Sequence, residues 1–221
     1  MKRKIITTAD GSTTIQIEDW DEQYHSKHGA VQEAYHVFIK NGLSLFSNQE
    51  IAILEIGFGT GLNAFITFLE GSKTSLNINY YGVEAFPVSD EELAQLNYLE
   101  ALKTETFKNE FNEIHECQWE SFTAISKNFH LKKQQKQFEQ IADEDLFHLI
   151  YFDAFGARVQ PELWTEKIFQ KMFIALKPKG VLVTYAAKGS VRRAMQAVGF
   201  VVERLPGPPG KREMLRATKP L

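Results

Sequence analysis

Glu55, Gly57, Gly59 and Gly61 stand together where an apolar run, residues 51–56, breaks into a turn. Two further carboxylates, Glu84 and Asp153, close later runs of the same kind, 76–83 and 147–152. Glycine has no Cβ, so such a turn lets backbone N–H groups come close to a bound ligand. A dinucleotide fold wants glycines in the order G-x-G-x-x-G, with pyrophosphate on the helix N-terminus. The order here is G-x-G-x-G, and Glu55 stands just before it. A carboxylate there repels pyrophosphate and suits a ligand that brings an ammonium and a sulfonium, which favours S-adenosylmethionine. The alternative is an ordinary strand–turn–helix connection with surplus glycine.

Glu84 follows the last glycine by about twenty residues, the spacing at which an acidic residue meets a ribose diol. Its alternative role is a charge at a helix N-terminus. Asp153 precedes Ala154-Phe155-Gly156 and can face a methyl acceptor or the methionine end of the cofactor, or simply cap a loop. In an open parallel sheet ligands sit beyond the C-terminal strand ends, where all three carboxylates fall.

The elements that must hold these residues alternate. Residues 5–17 read as a hairpin around Asp10-Gly11-Ser12, and 22–45 as helical, with Val31, Ala34, Tyr35, Phe38 and Ile39 on one side. Strand 51–56 leads to helix 61–69, and strand 76–83 to a helical stretch after Pro87-Val88-Ser89-Asp90. A weaker strand is expected near 114–119, and an exposed polar helix or loop over 127–145. Strand 147–152, helix 161–176, a turn at 177–180, strand 181–186, helix 190–198 and two last strands, 200–205 and 212–218, complete the order. Strands alternating with helices predict an α/β, doubly wound, mainly parallel Rossmann-like sheet with a C-terminal antiparallel hairpin. Residues 1–50 are expected to form an N-terminal hairpin and helical cap of the same domain, and 51–221 its body.

The 221 residues, 43% of them hydrophobic, fit one such domain. The single cysteine, Cys117, forbids an internal disulfide and a cysteine zinc site; it reads as a small buried hydrophobe, in keeping with a reducing cytoplasm. The basic start, Met1 to Lys4, precedes no long apolar run, so neither a signal peptide nor a membrane span is expected. The six histidines show no metal-ligand spacing. The net charge of −3 hides an asymmetry: residues 177–221 carry five Lys and five Arg against Glu203 and Glu213 only. A basic C-terminal quarter on an acidic body suits contact with a polyanion, or is a solvated surface.

In order, the segments Asp21-Glu22-Gln23-Tyr24-His25-Ser26, Glu55 to Asn63, Gly82-Val83-Glu84-Ala85-Phe86-Pro87, Asp153-Ala154-Phe155-Gly156, Lys177 to Gly180, Val191-Arg192-Arg193 and Gly210-Lys211-Arg212-Glu213-Met214 span nearly the whole chain. On them the chain resembles the methyltransferase domain of the bifunctional tRNA-modifying MnmC enzymes and their stand-alone MnmD-type relatives. The terminal Gly-Lys-Arg-Glu-Met run is the family-specific part; many methyltransferases share the glycine loop. The resemblance implies a class I methyltransferase fold and S-adenosylmethionine held by Glu55, Gly57, Phe58, Gly59, Thr60, Gly61, Asn63, Glu84, Ala85, Phe86 and Asp153. It implies tRNA as substrate: methylation of the exocyclic amine of 5-aminomethyl-2-thiouridine at the wobble position. The companion flavin oxidase domain does not fit in 221 residues, so a separately encoded enzyme is expected to supply the aminomethyl group. Two segments depart from the family pattern. Glu116-Cys117-Gln118-Trp119 has no Asp before an apolar residue, which leaves the adenine contact unassigned. The loop after Asp153 reads Ala-Phe-Gly-Ala-Arg.

A primary alkylamine is largely protonated at neutral pH, and a methyl acceptor must be neutral. Asp153 is the expected catalytic residue, orienting the amine first and accepting its proton only if burial makes it basic enough. Tyr24 and Phe155, with Trp164 and Tyr185 behind them, are candidates to hold an unstacked base. Lys188, Arg192, Arg193, Lys211 and Arg212 are candidates for phosphates. Two rivals stay open: a small-molecule methyltransferase or spermidine-synthase-like aminopropyltransferase, and a catalytically silent RNA-binding module.

Overall fold

In a computed structural model that describes residues 2–221, the chain forms two sheets. β1 (Arg3–Thr7) and β2 (Thr13–Ile17) make the expected hairpin, and β3 (Glu22–Gln23) adds a short third strand. Asp10 holds the turn, accepting from Thr8 Oγ1 at 2.7 Å and from Ser12 N at 3.1 Å. The stretch after it is not one helix. Residues 24–29 run irregularly, with His25 turned inward against Thr14 Oγ1. α1 (Ala30–Ala34) starts beyond them and continues as a π-helical turn, Tyr35–Lys40. Its buried face is Ala30, Glu33, Ala34, Val37 and Phe38, while Val31, Tyr35 and Ile39 are only partly covered.

The second sheet holds β4 (Glu50–Ile56), β5 (Asn77–Glu84), β6 (Phe122–Ser126), β7 (Phe129–Gln135), β8 (Phe147–Phe152), β9 (Leu176–Thr184), β10 (Val201–Pro206) and β11 (Glu213–Thr218). Its order is β10-β11-β9-β8-β4-β5-β7-β6. The five strands from β9 to β7 are parallel; β6 on one edge and β11 on the other side run against them, and β10 pairs antiparallel with β11 at that edge. α2 (Leu62–Lys73) follows the glycine turn. α3 (Asp90–Leu93) starts at a Ser89–Glu92 capping box, and α4 (Tyr98–Leu102), α5 (Lys108–Glu116), α6 (Glu166–Ala175) and α7 (Gly189–Ala197) complete the helices. α1, α2 and α5 cover one face of the sheet, α6 and α7 the other. Parallel strands covered on both faces read as continuous apolar runs, which is why 51–56 and 147–152 were legible.

Two expected elements are corrected. Residues 114–119 are not a strand: α5 runs to Glu116, with Phe111 and Ile114 at helical spacing toward the core. The stretch 127–145 is an exposed helix or loop only beyond residue 135, because β7 (Phe129–Gln135) lies inside the sheet beside β5. Its Lys133 conceals it. That side chain is buried, its Nζ donating to His115 O and lying 5.1 Å from the Trp119 ring centroid. A long aliphatic stem fills core space while its head finds a carbonyl and an aromatic face. The expected turn at 177–180 is an irregularity within β9, where the register to β8 shifts between Leu176 and Val181. Cys117 is buried. Among the described residues no helix is long and apolar enough to cross a membrane, and no three His, Cys, Asp or Glu side chains are grouped to hold a metal.

Candidate active site

From β4 the chain builds outward through β5 to β7, then returns to lay β8 on the other side of β4. The reversal leaves a crevice at the C-terminal ends of β4 and β8, where open α/β sheets bind ligands. A cavity of about 360 Å³ opens there, within the ~300–1,000 Å³ range of small-molecule sites. Its floor is the glycine turn, Asn63, the β5 end from Glu84 to Phe86 and the β8 end from Asp153 to Phe155. Its roof is Trp20 and residues 22–28 of the N-terminal sheet and the loop after it.

The turn needs its glycines for space as well as for backbone angle. Gly57 has φ +87°, and a Cβ there would lie 2.8 Å from Asp153 O. A Cβ on Gly59, at φ +51°, would press on the Tyr24 ring at 3.0 Å. The turn is tied to β5: Gly57 N and Phe58 N both donate to Val83 O at 3.0 Å, and Gly59 N donates to Glu84 Oε2 at 3.0 Å. Glu84 Oε1 accepts from Phe86 N at 2.9 Å. Glu84 thus braces the loop from which it reaches the cavity, with lone pairs to spare on both oxygens.

Behind the floor runs a chain of buried polar groups. Asn63 Nδ2 donates to Glu55 Oε1 at 2.9 Å and to Asp153 Oδ2 at 2.8 Å, and Tyr80 OH donates to Glu55 Oε2 at 2.8 Å. Two carboxylates claim both amide hydrogens, which sets the amide's orientation and leaves Asn63 Oδ1 buried without a partner. Burial, above all, raises the Glu55 carboxyl well above its usual range, and the nearby Asp153 and Glu84 charges add to it. Asp153 is raised to about 7, first by burial and then by the Glu33 charge, against the Asn63 hydrogen bond and the Lys211 ammonium.

The remaining wall comes from distant segments. Glu33 of α1 faces the cavity and pairs with Lys211 from the β10–β11 turn. Tyr185, just after β9, donates its OH to Ala154 O at 2.8 Å. Phe155 packs edge-on against Tyr24 at 5.0 Å and Trp20 at 5.7 Å. Trp164 Nε1 donates to Phe155 O at 2.7 Å. Arg158 Nη2 reaches Glu22 Oε2 at 2.8 Å and the carbonyls of Trp20 and Asp21, tying the β8 loop to the roof.

The structure brings Gly57, Phe58, Gly59, Asn63, Glu84, Ala85, Phe86, Asp153, Tyr24, Phe155 and Lys211 together around one cavity. Glu55, Thr60 and Gly61 do not line it. Glu55 is fully buried one layer back, and Thr60 bonds the Tyr98 hydroxyl at 2.9 Å. The alternation of β4 turns Glu55 toward α2, where it meets Asn63 instead of the cavity expected of it. Lys188, Arg192, Arg193 and Arg212 lie outside the cavity and make no ion pair among the described residues. Lys211 faces inward instead of toward a phosphate, and Glu213 pairs with Arg204 at 3.6 Å. Sequence reasoning missed Glu33 and the stretch from Gln137 to Glu139, which enters the cavity beyond the β7 end. Glu33 left a signal: it stands between Ala30 and Val37 on the apolar face of α1, where a carboxylate needs a partner.

A family model described as S-adenosyl-L-methionine-dependent methyltransferase matches residues 97–220. The cavity fits that cofactor: Gly57 and Gly59 present bare backbone at its floor, and the Glu84 and Asp153 carboxylates line it. The chain is 29% identical over 235 residues to the tRNA 5-methylaminomethyl-2-thiouridine biosynthesis bifunctional protein MnmC of Actinobacillus pleuropneumoniae, covering 96% of this chain and 34% of that protein. It is 27% identical over 213 residues to the protein of the same name from Hydrogenovibrio crunogenus, covering 88% and 31%. The chain thus spans about a third of the length of these curated relatives. The crystal structure of MNMC2 from Aquifex aeolicus superposes with a TM-score of 0.77 at 22% identity, covering all of this chain and 72% of that one. Spermidine synthase from Thermotoga maritima shares the fold at a TM-score of 0.55 and 13% identity, with 98% and 72% covered. Because the family model matches more than half of the chain, at the end that carries Asp153 and Lys211, we conclude that this protein belongs to that S-adenosyl-L-methionine-dependent methyltransferase family.

Proposed function

We propose that this methyltransferase acts on tRNA and methylates the exocyclic amine of 5-aminomethyl-2-thiouridine, giving 5-methylaminomethyl-2-thiouridine. The observation that carries this reading is Asp153: a half-buried carboxyl at the cavity floor, raised to about 7 and held by Asn63, at the junction of the glycine turn and the acceptor wall. Such a group takes a proton from an alkylammonium near neutral pH far better than an ordinary aspartate. S-adenosylmethionine, when bound, supplies an electrophilic methyl carbon on its sulfonium. Gly57, Gly59, Asn63 and Glu84 hold it, with Ala85 and Phe86 beside them. Asp153 orients the acceptor nitrogen, accepts one of its N–H protons and leaves the lone pair free. Tyr24 and Phe155 flank the unstacked base. Alignment of this kind can lower a barrier by roughly 7–11 kcal/mol.

The names of the curated relatives support tRNA as substrate class. The unpaired Lys188, Arg192, Arg193 and Arg212 supply positive charge for its phosphates. Residues 1–50 serve as the cap and 51–221 as the body of one unit. A tRNA substrate fits a cytoplasmic location. The test is transfer from labelled S-adenosylmethionine to tRNA carrying 5-aminomethyl-2-thiouridine, read by nucleoside mass analysis. Label on that nucleoside supports the proposal; none, with a cofactor-competent protein, removes it.

One observation favours a second reading. Glu22, Glu33, Glu84, Glu139, Asp153 and Glu162 all line the cavity, against Arg3, Lys27 and Lys211. An acidic wall suits any primary amine, including a polyamine. Putrescine in the same assay, with S-adenosylmethionine or its decarboxylated form, separates the two.

A further inference from the structure

Asp153 is one of two carboxylates that meet an amine at the acceptor wall. The other, Glu33, is already occupied. Lys211 Nζ pairs with its Oε1, and Ser26 N donates to its Oε2 at 2.9 Å. Lys211 also stands over the Tyr185 ring, 3.8 Å from the centroid, and the Tyr185 OH bonds Ala154 O beside Asp153. Glu33, Lys211, Tyr185 and Asp153 line one cavity, although they come from α1, the β10–β11 turn and the ends of β9 and β8. A partly buried ion pair such as this contributes little net stability, because desolvation and screening offset its attraction. Stability therefore does not account for a pair placed at this wall.

We infer that Lys211 neutralises Glu33 so that an incoming amine meets one unpaired carboxylate at this wall, Asp153, which makes Glu33 and Lys211 the positioning and specificity pair for the acceptor. This inference rests on the proposed role of Asp153. Without Lys211 the amine would find two carboxylates and could dock out of line on Glu33. Without Glu33, a bare ammonium would stand beside the acceptor and repel its protonated form. Other groups face Asp153 from every side: Glu55 of β4, Tyr80 of β5, Asn63 of α2 and Tyr185 after β9. Glu33 and Lys211 are the pair of opposite sign among them, and they act on Asp153 in opposite directions.

The test is the pH profile of turnover on tRNA carrying 5-aminomethyl-2-thiouridine, with folding checked by thermal melting and cofactor titration. Lys211→Met should move the acid limb up by about one pH unit and lower turnover at pH 7 by about tenfold. Glu33→Gln should move the limb down by about as much. The double variant should return the limb near the wild-type position and recover part of the turnover lost in Lys211→Met, and Lys211→Arg should keep the limb in place. If Lys211→Met does not fold, Glu33→Gln and Lys211→Arg carry the test. Limbs that stay fixed, or that move the same way in both single variants while melting temperature falls in step with activity, overturn the inference. Wild-type protein inactive on this tRNA, or an Asp153→Asn variant with full turnover, overturns the reading of Asp153 and the inference with it.

Discussion

The wall assigned to the cofactor comes from one continuous stretch, β4–α2–β5, whereas Glu33, Asp153, Tyr185 and Lys211 on the acceptor wall come from four segments far apart in sequence. The first wall is held through its backbone N–H groups: the glycine turn hangs on Val83 O and on the Glu84 carboxylate. The second is held by side chains, through the Glu33–Lys211 pair, the Tyr185 hydroxyl and the Arg158 clamp. Cofactor binding and acceptor selection should therefore fail separately. A backbone-built wall suits a ligand shared by many enzymes, and a side-chain-built wall can change its acceptor without disturbing the sheet.

The largest effect should come from the acceptor wall. Asp153→Asn keeps shape but cannot take a proton, so turnover should fall on the order of 10²-fold or more with a smaller loss of cofactor affinity. Single-turnover kinetics beside cofactor titration measure the two. Equal losses would move Asp153 to the cofactor wall and blur the division.

Replacing Lys188, Arg192, Arg193 and Arg212 together by alanine should leave both walls intact and weaken tRNA binding. Each lost phosphate contact should lower the slope of log K against log salt by roughly 0.7–0.9, and affinity near 0.1 M salt should fall by at least about tenfold. Lys211 is left out of this set because it faces the cavity. An unchanged slope would make the outer basic residues a solvated surface and favour the small-amine reading.

On the cofactor wall, Glu84→Ala should weaken S-adenosylmethionine binding by about 1–3 kcal/mol, through lost ribose contacts and a loosened Gly59 turn. Turnover at saturating cofactor should change less. Calorimetric binding equal to wild type would remove Glu84 from that wall.

The smallest effect is on stability, and its sign is diagnostic. A carboxyl raised to about 7 on folding binds a proton more readily in the native state than in the unfolded chain. Its contribution is thus full below its unfolded value, about 4, and is lost as pH rises to about 7. Asp153→Asn should melt a few degrees higher than wild type at about pH 8, with the gap closing toward about pH 4. A gap that widens on acidification would show that Asp153 is a stabilised anion.

Where a run is short, apolar and followed at once by its turn, local pattern was enough: β4, β8, the terminal hairpin and the line of strand-end carboxylates were all legible. β7 was not, because Lys133 is buried by partners on α5 and at Trp119 that only folding brings near. α5 was hidden for the opposite reason, its two core contacts, Phe111 and Ile114, standing among charged neighbours.

By itself the sequence determined the α/β order, the glycine turn and the presence of Glu84 and Asp153 at strand ends. These depend on periodicity and on neighbours within a few residues, and the chain carries that information locally. Tertiary structure alone decided that Glu55 stands behind the cavity, hydrogen-bonded to Asn63, that Asp153 is desolvated enough to be raised to about 7, and that Lys211 turns inward to meet Glu33. Burial and charge pairing depend on which distant segments meet, and no local spacing records that.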